Sequence, residues 1–241
     1  LGIFLICIAW DSIIITAIAL AFSLDALIVI PAALIIVISY YVTTYRSMDL
    51  KILKKINAEP ITSGSFPRFE NLVEGVCVAH GFRHPGLFIV RDSAPNMIMV
   101  GRNSYHGKLV ATTGLLERVT RVELEGLITH ELSRTKNRLT LLESTTAILI
   151  ARPMFFMPRI VKKIAKKIFD QWVIAETDMS AVRMTRYPTG LANALQSLYL
   201  DGREPTHNPK FCRHMWVNPP KGGLIPSGFS TQERVVALEE L

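Results

Sequence analysis

Residues 1–45, LGIFLICIAWDSIIITAIALAFSLDALIVIPAALIIVISYYVTTY, carry only two charges, Asp11 and Asp25. Crossing a bilayer takes about 20 consecutive apolar residues. The stretch holds two such segments, roughly Leu1–Phe22 and Ala26–Thr44, separated by a turn at Ser23–Asp25. A transmembrane helical hairpin over 1–45 is the expectation, with residues 46–241 forming a second domain. Asp11 lies inside the first segment, where a carboxylate either faces protein or a water-filled gap, or sits at a membrane edge. Two long segments with no small-residue cleavage site exclude a removed signal peptide. A chain that starts at Leu1 rather than Met is expected to lack its native start.

Arg46, Lys51, Lys54 and Lys55 follow the hairpin, and Tyr40, Tyr41 and Tyr45 mark an interfacial belt. Cationic loops stay on the cytoplasmic side. A multi-pass cell-membrane protein with its main domain in the cytoplasm is expected. The composition agrees, with 49% hydrophobic residues and a mean hydropathy of +0.30. The net charge of +7 gathers beside apolar runs, so membrane lipids are the expected partner and nucleic acid is not. Cys7, Cys77 and Cys212 lie too far apart in sequence for a C-x-x-C pair, which argues against a cysteine-built zinc site or a disulfide framework.

Beyond residue 46, Leu72, Val73, Val76 and Cys77 keep a helical period that ends near Gly81. Short strand-like runs at 87–90, 96–100 and 108–113 suggest a small antiparallel sheet. Thr120 and Glu123 form a capping box that launches a helix with an apolar side of Val122, Leu124, Leu127, Ile128 and Leu132. Residues 145–157 are apolar but too short to span. In the next stretch Ile160, Ile164 and Ile168 recur among Arg159, Lys162, Lys163, Lys166 and Lys167, the pattern of a basic amphipathic helix in a membrane surface or of a solvated surface helix. A membrane contact around 145–170 is expected. Residues 201–232 read as loop and the C-terminal stretch as a short helix.

THELSRTKN, residues 129–137, carries the chemistry. In H-E-x-x-H two histidines one helical turn apart reach one Zn²⁺, and the intervening glutamate works on the metal-bound water. Here His130 and Glu131 are present, and Arg134 stands where the second histidine belongs. The dipeptide alone has little specificity, but LVEGVCVAHGF, APNMIMVGRN, VATTGLLERVTRVELEGLITHELSRTKNR, AETDMSAVRMTRYPTGLANAL, WVNPPKGG and FSTQERVVAL accompany it. With these segments the chain resembles the HtpX-like integral-membrane zinc metallopeptidases, which include the prenyl-protein endopeptidases. The resemblance implies an α+β, mainly helical architecture: the hairpin followed by a zincin-like domain. It also implies metal ligands at His130, at position 134 and at Glu176, a general base at Glu131, support from Asp178, and a substrate-pairing edge at Asn96, Met97, Ile98 and Met99.

The departures from that pattern cluster at the chemistry. Besides Arg134, Leu139 replaces the aspartate that follows N-R in the family. Met97 and Met99 occupy small-residue positions, although they could simply fill core. FSTQER lacks the histidine of S-T-H-P-P. A guanidinium is permanently cationic and has no lone pair, so it cannot ligate zinc. Two unit charges 4 Å apart repel by about 4 kcal/mol at an effective dielectric of 20, and a dication doubles that. Arg134 is therefore expected to link Glu131 to Glu176 in place of zinc, unless one of His80, His84, His106, His207 or His214 completes a metal site. The expected function is that of a pseudopeptidase, with Glu131 a vestigial base and no bound cofactor. It would be an accessory or structural subunit that binds another integral membrane protein or complex. The alternative is an active zinc endopeptidase in membrane-protein quality control.

Overall fold

A computed structural model describes residues 2–21, 25–102, 105–136, 139–150, 171–223 and 229–241. The amphipathic stretch 158–169 and most of the 145–170 membrane contact lie outside these residues. Helices α1 (Gly2–Ala21) and α2 (Ala26–Lys55) form the expected hairpin. Asp25 caps α2 by accepting from the Leu27 amide at 3.0 Å. Asp11 faces the partner helix, where Tyr41 donates to it at 2.7 Å; Val37 and Tyr41 pack there with Ile8 and Ile15.

α2 continues unbroken past residue 45 to Lys55. Thirty residues make a rod of roughly 45 Å, longer than the hydrocarbon layer. Its last turns bury Met48, Ile52, Leu53 and Ile56 in the second domain, and Asp49 pairs with Lys108 there. Leu27, Ile28, Ile35 and Ile36 remain exposed on its first part. Leu27–Lys55 is long and apolar enough to cross a membrane.

The second domain is built on four strands: β1 (Glu59–Pro60), β2 (Gly86–Val90), β3 (Met97–Val100) and β4 (Lys108–Thr112). Their order is β1-β2-β4-β3. β2 and β4 pair in parallel, whereas β1 with β2 and β3 with β4 pair antiparallel. The sheet is thus mixed, not antiparallel. Three strand-like runs in a row suggest a meander, but β3 passes beyond β4 and leaves β2 and β4 as neighbours.

Alternation along β3 divides its side chains between two cores. Met97 and Met99 join the larger core with α3 (Pro67–His80) and α5 (Arg121–Lys136), whereas Ile98 and Val100 join the α2 side with Trp216. The two methionines fill core. α3 ends where Gly81 takes the left-handed conformation, which glycine adopts without a Cβ penalty. α4 (Thr113–Arg118) follows β4, and the capping box of Thr120 and Glu123 opens α5 as expected.

α5 is buried over Gly126–Arg134 without a break. It packs against α7 (Gln171–Thr185) and α8 (Pro188–Asp201). A Cβ on Gly126 would stand 3.1 Å from the Leu191 amide nitrogen, so α8 crosses closely at a residue without a side chain. α6 (Leu139–Ile150) lies against the hairpin, and α9 (Thr231–Glu239) closes the domain over α8.

Candidate active site

α5 places His130, Glu131 and Arg134 in the interior. Arg134 Nη1 donates to Glu131 Oε1 at 2.6 Å and to the Met215 carbonyl at 3.0 Å. Its Nη2 donates to Glu143 on α6. The guanidinium does link two helices through two carboxylates, but the second is Glu143 and not Glu176. Burial would lower the Arg134 pKa, but the two carboxylates outweigh it and hold the side chain firmly protonated. Burial pushes the Glu143 carboxyl up to about 7 against the pull of Arg134, with Glu131 adding to the rise. His214, also buried and close to this group, is driven down to about 3 by burial and then by the Arg134 charge.

His130 belongs to a second centre. Its Nδ1 lies 2.8 Å from Asp178 Oδ1 on α7, a close polar contact without the alignment of a hydrogen bond. Arg234 of α9 grips Asp178 with two bonds of 2.8 Å, from Nε and Nη2. Burial alone would raise Asp178, yet Arg234 and His130 hold its carboxyl well below the usual carboxylate range. Arg234 Nη2 also stands 3.5 Å from His130 Nε2. A guanidinium can only donate, so that nitrogen is the acceptor in this contact.

The residues present do not fit a catalytic zinc. The His130 nitrogen that would face the metal faces Arg234, and position 134 offers no lone pair. Glu176 is exposed, and helical geometry explains why. Residues two apart on a helix point to nearly opposite sides, so turning Asp178 toward His130 turns Glu176 away. The residue sharing the Asp178 face one turn earlier is Ile174, which cannot ligate. His84, His106 and His207 are exposed. Among the described residues, no three His, Cys, Asp or Glu side chains gather in a way that could hold a metal ion.

The expected substrate edge also has an occupant. Asn96, Met97, Ile98 and Met99 are buried, and the outer side of β3 makes an antiparallel bridge from Ile98 to Trp216. Sequence reasoning missed Glu143, Arg234 and this segment. Glu143 did leave a signal, a lone acid in the apolar LTLLESTTAILI. Such an acid needs a partner when buried.

A helix bearing His-Glu, a supporting aspartate on the next long helix and a mixed sheet with an antiparallel edge define a metallopeptidase scaffold. Residues 64–198 match the Peptidase family M48, more than half of the chain, and the protein belongs to that family as an HtpX-like member. It is 30% identical over 222 residues to a protein named Protease HtpX homolog from Tropheryma whipplei, spanning 76% of each chain. It is 28% identical to one from Dictyoglomus thermophilum (82% of this chain, 75% of the relative). A third, from Paraburkholderia phytofirmans, is 27% identical over 87% of this chain and 86% of its own.

Proposed function

We propose that this chain is a membrane-anchored pseudopeptidase of the HtpX-like family, an accessory or structural subunit that binds membrane-protein partners and cuts nothing. One observation carries the reading: Arg134, at the position of a metal-ligating histidine, is buried and bonded to Glu131, the residue that would act as base. A base tied to a permanent cation one turn away is not free to take a proton from water. The membrane assignment rests on the apolar span of α2 and the hairpin it forms with α1. Exposed Arg46, Lys51, Lys54 and Lys55 favour a cytoplasmic main domain, in contact with anionic lipid.

The test is cleavage of a model membrane substrate by the full chain in detergent. The native chain and Glu131→Gln should be equally inactive. Cleavage by the native chain that Glu131→Gln abolishes would instead establish an active zinc endopeptidase.

A further inference from the structure

Bonds from three separate elements converge on residues 215–218. From α5, Arg134 Nη1 donates to the Met215 carbonyl at 3.0 Å. From α9, Arg234 Nη1 donates to the Val217 carbonyl at 2.8 Å. From the β3 edge, the Met97 carbonyl accepts the Val217 amide at 2.9 Å. Asn96 extends the pairing by one residue. Its Nδ2 donates to the Asn218 carbonyl at 2.8 Å, and its Oδ1 accepts the Asn218 amide at 3.2 Å.

Directly after the short 3-10 turn Arg213–Met215, Trp216 makes a single antiparallel bridge to Ile98 of β3, so the segment occupies the sheet edge to which an extended peptide would add. The Met215 carbonyl meets a fixed cation whose same nitrogen holds Glu131. Trp216 anchors the segment in the core beside Ile98 and Ile52, 1% exposed. We infer that residues 215–218 are a built-in plug that covers the outer edge of β3 in a peptide's place, with Arg134, Arg234 and Asn96 as its positioning residues. The inference rests on the pseudopeptidase reading for the role of Arg134. It goes further in stating that the β3 edge is closed to extended peptides, so partners engage the molecule elsewhere.

Hydrogen exchange and peptide binding on the full chain in detergent test this, with a fluorescently labelled apolar decapeptide as the probe. In the native chain the Val217 and Asn218 amides exchange as slowly as those of β4, and the peptide does not bind saturably. Asn96→Ala, which leaves both arginines in place, speeds Asn218 exchange by roughly tenfold, the loss of about one hydrogen bond. Loop-like exchange at Val217 and Asn218 in the native chain would overturn the inference. So would native peptide binding, or an Asn96→Ala chain whose Asn218 exchange is unchanged. Zinc content reads the two proposals apart. A zinc-loaded chain with protected amides removes the pseudopeptidase reading and keeps the plug; a zinc-free chain with unprotected amides does the reverse.

Discussion

Arg134 and Arg234 each bring a buried guanidinium to a carboxylate and to one carbonyl of the same segment, but the balance of charge around them is opposite. At Arg134 one cation serves two acids, Glu131 and Glu143. At Arg234 two basic groups, the arginine and His130, surround one acid, Asp178. Glu143 is accordingly pushed up to about 7, burial being the main cause, whereas Asp178 is held well below its ordinary range. The first centre has surplus acid that can take a proton; the second has surplus base. The difference shows two ways in which buried acids are held against one helix: two carboxylates around one arginine, and one carboxylate between an arginine and a histidine.

The largest effect is expected from Arg134→Met, which strands Glu131 and Glu143 in the interior. Removing one side of a buried ion pair costs about 3–5 kcal/mol, read by denaturant unfolding of the full chain in detergent. Arg234→Met should cost less, roughly 2–3 kcal/mol, because His130 Nδ1 remains 2.8 Å from Asp178 as a polar neighbour. Equal losses would erase the contrast between the two centres.

Glu143→Gln sharpens it through pH. The folded pKa of Glu143, about 7, lies above its ordinary 4.5. The folded state therefore holds the proton longer than the unfolded chain does. Stability from this group is present below the ordinary value and is lost as pH rises toward about 7. His214, with a folded value of about 3 against 6.5, gives the opposite slope over much of that window. Only the difference between native and variant isolates Glu143. The native chain should lose stability relative to Glu143→Gln as pH climbs from about 4.5 to about 7; a flat difference would contradict the surplus-acid account. The smallest effect is expected outside both centres, from Tyr41→Phe, which removes the bond to Asp11 and should cost about 1 kcal/mol.

Local patterns in the chain made much of this visible. The apolar run gave the hairpin, Thr120 and Glu123 gave the start of α5, and the His130–Glu131 pair marked the centre of the domain. What stayed hidden depends on distance along the chain. Arg134 reaches Met215, and Arg234 reaches His130, across spans that no periodicity records. Glu176 misled because the resemblance supplied a residue type without the helical phase that turns it outward. The sheet misled because strand order, unlike strand existence, is set by pairings between strands distant in sequence, here the parallel pairing of β2 with β4.

The central claim is that a guanidinium holds the place where a metal would need an electron pair. Metal analysis of the native chain, purified in detergent from membranes grown with ample zinc, tests it most directly. The account predicts zinc far below one ion per chain, unchanged by His130→Ala. One zinc per chain that His130→Ala removes would contradict it.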